Sequence, residues 1–149
     1  MAFENVGSVV NATFTGGFTT ADRSAGVTVK VTGGSSDGFP RPTVAKTDAA
    51  TDVIAGVVQS VEVASTGNRA PSGINGISYA NSGTVKVRKN AAPSTADIGG
   101  QIIPTTGAGM VDVDAAAPAV GFGLVVGITG TAATDFLIVD LNAAAQNRA

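Results

Sequence analysis

Apolar residues in this chain alternate with polar ones over short runs, and no segment sustains a 3.6-residue period. Val27-Thr28-Val29-Lys30-Val31-Thr32 is the clearest case. A period of two sends neighbouring side chains to opposite faces of an extended strand, so Val27, Val29 and Val31 are expected inward. Gly83-Thr84-Val85-Lys86-Val87-Arg88-Lys89 repeats the pattern with Val85 and Val87 inward, and Phe136-Leu137-Ile138-Val139-Asp140-Leu141 reads as the last strand. Short strands at regular spacing, separated by turn residues, predict an all-β fold. The expected architecture is a small β-barrel, β-tulip or sandwich of short antiparallel strands, with an extended N-terminal arm and few or no helices beyond single turns.

The boundaries follow from the glycines and prolines. Residues 1–24 read as an arm: Val9-Val10 and Phe14 could form a short strand, but Gly16-Gly17 and Thr19-Thr20-Ala21-Asp22 interrupt it. Gly33 to Gly38 is a turn, and Phe39-Pro40-Arg41-Pro42 is held extended because each proline restricts the residue before it. Thr43-Val44-Ala45 is a short strand, and Asp48 to Asp52 a single helical turn or a tight loop. The continuous run Val53-Ile54-Ala55-Gly56-Val57-Val58 is expected to be buried on both faces, with Gly56 at a bulge or a close backbone approach. Val61 and Val63 alternate again, and residues 64–82 read as a long irregular loop. Gln101 to Pro104 and Met110 to Asp114 bracket a glycine turn and predict a hairpin. Val120 to Gly127 is a second buried, glycine-punctuated strand, Ala132 to Asp135 a turn, and 143–149 a tail.

Residues 25–142 therefore form the β-rich domain, loosely divided into 25–63 and 83–142 by the loop 64–82. The halves echo one another. Val27-Thr28-Val29-Lys30-Val31 recurs as Thr84-Val85-Lys86-Val87, and Val53 to Val58 recurs as Val120 to Val126. The spacing differs between the halves, so this is an echo and not a strict repeat.

Composition narrows the chemistry. The 149 residues include no cysteine and no histidine. A disulfide framework, a thiolate zinc site, a thiol nucleophile and Ser-His-Asp or Cys-His catalysis are all excluded. Charged residues make up 13% of the chain and the formal net charge is −2. The nine Lys and Arg are scattered, unlike the basic stripe of a nucleic-acid binder. Low charge also leaves little repulsion between molecules, which favours association. No apolar run reaches the length of a membrane span, and Met1-Ala2-Phe3-Glu4-Asn5 lacks the features of a secretory signal. Neither nucleic acid nor membrane is expected as a partner, and no cofactor is expected.

Few motifs could carry chemistry, and each has a plainer reading. Gly121-Phe122-Gly123-Leu124-Val125-Val126-Gly127 departs from dinucleotide-binding spacing and reads as a close-packed strand. Asp112 and Asp114 share one face of a strand, where paired carboxylates could do acid–base work or bind calcium, but a solvated face explains them. Asp48, Asp52, Asp97 and Asp135 sit in turns, where a carboxylate accepts backbone N–H groups. Lys86, Arg88 and Lys89 form the densest basic cluster, either a solvated, edge-protecting face or a contact for an acidic partner. Arg41, Arg69 and Arg148 lie in loops or the tail, where arginine can anchor an interface. No catalytic, cofactor-binding or metal-binding residue is assigned, and no enzyme is expected.

Several motifs together resemble the small head-decoration, or capsid cement, proteins of tailed bacteriophages. They are the early Val-x-Val-Lys-Val strand, Thr43-Val44-Ala45-Lys46-Thr47-Asp48-Ala49-Ala50-Thr51-Asp52-Val53-Ile54-Ala55-Gly56-Val57-Val58, Ser82-Gly83-Thr84-Val85-Lys86-Val87, and Gly121 to Gly127 with Phe136-Leu137-Ile138-Val139. The resemblance covers roughly residues 25–142. It implies a β-barrel or β-tulip core, a virion structural role on the outer capsid surface after synthesis in the host cytoplasm, and the major capsid protein as partner. It also implies self-association, as a trimer before a dimer. The family has no catalytic motif to transfer. The N-terminal arm and the 64–82 loop are the expected contact elements. The alternatives are another β-rich virion component, such as a tail or fibre subunit, and a surface adhesin module. A β-barrel enzyme or ligand binder would have to work with Asp, Glu, Lys, Ser or Thr alone.

Overall fold

Strand Val9–Phe14, expected in a loose arm, is a stave of a closed barrel. The computed structural model describes residues 5–34, 41–62, 75–114 and 121–142. In chain order the strands are β1 (Asn5–Val6), β2 (Val9–Phe14), β3 (Thr28–Gly34), β4 (Pro42–Lys46), β5 (Gly56–Glu62), β6 (Asn75–Ala80), β7 (Gly83–Val87), β8 (Gln101–Pro104), β9 (Val111–Asp114), β10 (Leu124–Ile128) and β11 (Leu137–Asp140). Two 3-10 turns, Thr20–Ser24 and Thr95–Asp97, punctuate them. The all-β expectation holds.

The first lobe is a barrel of order β2-β4-β3-β5-β6. Its neighbours are antiparallel except β2 and β4, which close the ring in parallel at Thr13↔Thr43. Phe14, Val29, Val44, Val58, Val61, Ile77 and Tyr79 fill the interior, with Phe18 and Val27. In the second lobe β7 pairs with β11 and β11 with β10, while β8 and β9 form the hairpin expected from sequence. A parallel bridge, Lys89↔Val111, joins the end of β7 to β9, and Ile102↔Phe122 joins β8 to the approach of β10. The resulting order, β7-β9-β8-β10-β11, is that of the first barrel.

The match extends to register. Val10↔Tyr79 corresponds to Val85↔Val139, Val58↔Tyr79 to Val125↔Val139, and Val31↔Val44 to Pro104↔Val111. The N–H of Val58 donates to the Val27 carbonyl (2.9 Å) as that of Val125 donates to Gly100 (2.8 Å). Each lobe also carries one β-bulge at the same place, with Gln59 the extra residue in β5 and Val126 in β10. The two-half echo is thus real, but its alignment shifts. Within the described residues Ala55–Val58 and Phe122–Val125 correspond, as expected, whereas β3 corresponds to β8, and β7 to β2. A Val-x-Val-Lys-Val run suits any half-buried strand, so its likeness to β7 carried no information about topology.

Residues 5–14 run antiparallel to 75–84 in one register, from Asn5↔Thr84 through Val9↔Ala80 to Phe14↔Asn75. Between the two ladders, Gly7 donates to the Ser82 carbonyl and Asn81 to that of Ser8, both at 3.1 Å. This ribbon stitches the lobes together. It corrects two expectations: 5–24 is built into the fold rather than extended as an arm, and 75–80, placed in the 64–82 loop, is a strand with Ile77 and Tyr79 inward. Asn75, Gly76 and Ser78 masked its alternation. Residues 1–4, 35–40, 63–74, 115–120 and 143–149 lie outside the described residues, and with them Val63, Arg69, Arg148, most of the loop and the tail.

The seam is a second core. β5 and β6 send side chains to both faces: Val58 and Tyr79 enter the barrel, while Val57 and Ala80 pack with Ile54, Val85, Val87, Ile102, Val111, Val125, Leu137, Val139 and Leu141. This explains the continuous apolar run, though its first residue, Val53, is 62% exposed. Gly56 makes the close approach expected of it, since a Cβ there would fall on the Ala80 carbonyl. Val31, expected inward, is exposed because β3 runs beyond the filled interior through a bulge between Val31 and Gly33. Across the junction Thr28 donates to the Gly109 carbonyl (3.0 Å), and Gly109 donates to that of Thr47 (2.7 Å).

Candidate functional site

Aspartate organises the turns, as its chemistry predicts, and each of three such turns also recruits a lysine. Asp22 accepts the Thr19 N–H (2.7 Å) and Asp97 that of Ser94 (2.8 Å), the same position in the two 3-10 turns. Asp52 accepts the N–H groups of Asp48 and Ala49. Lys46 lies 3.2 Å from Asp22, Lys89 3.0 Å from Asp97, and Lys30 3.0 Å from Asp52 and 2.6 Å from Asp48. Hydrogen bonds from Lys30 to both carboxylates raise its pKa above 10.5. Burial pushes the Asp52 carboxyl upward, but the Asp48 N–H, the Lys30 ammonium and the Ala49 N–H together hold it below its ordinary value. Asp135 closes its turn with the Ala132 N–H and the Thr129 hydroxyl. These carboxylates therefore act in structure.

The basic cluster divides. Lys89 turns to Asp97, while Lys86 and Arg88 share the outer side of β7, each 5.1 Å from the centre of the Phe136 ring. Arg88 also donates to the Ala133 carbonyl (3.3 Å). Lys86 lines a cleft of about 140 Å³ between the lobes, with Arg23, Ser24, Gly26, Val58 and Gln59. Two of the lining side chains are cations and none is a carboxylate, so the cleft suits an anionic group. Its members come from the first 3-10 turn, the β5 bulge and β7. Sequence reasoning found Lys86 but missed Arg23 and Gln59, whose meeting depends on lobe packing and a bulge that no local pattern announces.

Asp112 and Asp114 lie on β9 opposite Ile103 and Gln101, and Asp112 accepts the Val113 N–H (2.8 Å). Among the described residues no three acidic, His or Cys side chains gather in a group that could hold a metal ion. The Gly121–Gly127 run forms the bridge at Phe122 and strand β10, with no helix following. Among the described residues no helix is long and apolar enough to cross a membrane. No family model, curated protein or solved structure matches the chain.

Proposed function

We propose that the protein is a virion structural component that binds the outer surface of an assembled major-capsid-protein shell and cements neighbouring capsomers against internal pressure. The observation that carries this reading is the series of motifs from Val27 to Val139 that resembles the capsid decoration family. The low charge of the chain supports it, as does a β-rich body whose lysine–aspartate pairs are tied up in turns. No catalytic role is proposed.

The mechanism is additive. DNA packing loads a shell outward, and a small body seated across a capsomer junction adds buried area there. Once one contact engages, the next is effectively intramolecular, so several weak contacts hold firmly. Binding only the assembled lattice then stabilises it by mass action. Residues 5–14 and 75–82, expected as free contact elements, are staves and a turn of the lobes. Particles stripped of the protein should lose survival on heating and osmotic shock and regain it on adding the protein back. Equal survival of stripped and intact particles would remove the cement role. Mass spectrometry of virions should find the protein at a fixed copy number relative to the shell protein.

A further inference from the structure

The lobes match strand for strand, yet among the described residues one of two equivalent faces is covered and the other is not. In the first lobe the face made by the 3-10 turn and the β5 bulge meets β7 of the second. The Arg88 N–H donates to the Gly26 carbonyl at 2.9 Å, a Cβ on Gly26 would crowd Arg88 N, and Lys86 and Gln59 line the same cleft. The lobe register carries Arg23 to Ile98, Gly26 to Gly99, Val58 to Val125 and Gln59 to Val126. At that second face Gly99 has no atom within 4 Å of where its Cβ would lie, and Ile98 and Val126 are each 47% exposed. At the bulge the arrangement is inverted from what solvent favours: Gln59 is half-buried at the covered face, with Arg23 exposed at its rim, while the open face carries the exposed Ile98 and Val126.

We propose that the open face is a self-association site and that it is filled by the outer face of β2 from a second copy of this chain. β2 is the counterpart of β7, so it is the strand that the covered lobe specifies for this place. The register carries Lys86 to Asn11 and Thr84 to Val9. Both are exposed, Val9 by 48%, and neither is charged, so no cation is desolvated against Ile98 and Val126. The polar cleft receives a basic strand and the apolar face an uncharged one. The contact joins the second lobe of one copy to the first lobe of the next. It is heterologous, and it closes as a ring if the rotation permits. A trimer would then be a ring of six lobes. This inference rests on the self-association implied by the family resemblance and adds its location.

The chain has no cysteine, so introduced ones are unique. Asn11→Cys and Val126→Cys, carried on separate full-length chains with different affinity tags, are mixed and oxidised. The mixed disulfide should form in excess of both like-with-like products. By light scattering the unmodified protein should have a mass of several chains. Ile98→Glu with Val126→Lys should weaken association about tenfold or more, as expected when the apolar centre of an interface is lost, with the thermal melt of the monomer unchanged. A single-chain mass for the unmodified protein at all concentrations would overturn self-association and this site together. An oligomer that survives both substitutions, or gives no mixed disulfide, would overturn the site and leave self-association standing.

Discussion

Lys89 Nζ sits 3.0 Å from both carboxylate oxygens of Asp97, and the two side chains are only 13% and 11% exposed. Removing one partner leaves a buried charge without its counterion, which costs about 3–5 kcal/mol. Lys89→Met should therefore lower unfolding free energy by about 3 kcal/mol, read from the urea midpoint at unchanged slope. Asp97→Asn, which keeps an oxygen for the Ser94 N–H, should cost less than Asp97→Ala. Equal losses for the two would show that the backbone bond contributes nothing.

The first lobe solves the same problem from another strand. Asp22 is the counterpart of Asp97, but its cation is Lys46 on β4, whose counterpart on β9 is the apolar Val113. The counterpart of Lys89 is Phe14, which packs edge-on against Phe18 with centroids 4.9 Å apart, while Lys46 Nζ lies 5.6 Å from the Phe18 ring. Cation and apolar residue have changed places between facing strands. Lys46→Val alone should destabilise by about 3 kcal/mol. Adding Phe14→Lys to it should restore the pairing, so the double variant should be more stable than the two single losses predict, with a coupling of about 1 kcal/mol or more. Simple additivity in a double-mutant cycle would refute the equivalence of the two positions.

This exchange shows where the sequence is legible. The strands at Val27–Val31 and Val85–Val87 follow from period two, the last strand from the apolar run at 136–141, and the Asp-bearing turns from side-chain chemistry. The lysine that answers each aspartate is 24 residues downstream in one lobe and 8 upstream in the other, so no window of sequence contains the rule. β6 was hidden because Asn75, Gly76 and Ser78 are turn-formers in sequence; a barrel tolerates Gly76 and Ser78 on its outer side, with Ile77 and Tyr79 supplying the burial. The open face is less legible still. Val126 gains meaning only once its counterpart Gln59 is seen half-buried against the other lobe.

The Lys30 cluster sets a pH window. Asp52 titrates below its ordinary 3.8, so its contribution to stability is present above that value and is lost as pH falls through the folded pKa. Lys30 titrates above its ordinary 10.5, so its contribution is complete below that value and is lost as pH rises through the folded pKa. The difference in melting temperature between the protein and Lys30→Met should be widest from about pH 4 to 10 and shrink at both ends. High salt should narrow it, since the pair is partly solvated. A difference that persists at pH 2 would mean that Lys30 acts through packing of its stem rather than through charge.

Gly26 and Gly99 offer a direct measure of the lobe–lobe contact. Both adopt positive φ, +66° and +96°, a region that costs an L-residue about 1–2 kcal/mol. At Gly99 a methyl group would meet no other part of its own chain, so Gly99→Ala, measured at a dilution where the protein is monomeric, should carry that backbone cost alone. At Gly26 the methyl would fall on Arg88 N and the end of β7, so Gly26→Ala should carry the same backbone cost and also force the lobes apart. The excess for Gly26→Ala, by chemical denaturation, reports the strength of the junction. Hydrogen exchange should show faster opening at the Arg88 amide, which donates to the Gly26 carbonyl, in Gly26→Ala but not in Gly99→Ala. If both variants lose the same stability and Arg88 stays protected, the lobes are held by the Thr28, Thr47 and Gly109 bonds and the Val57 core, and the Gly26 contact is incidental.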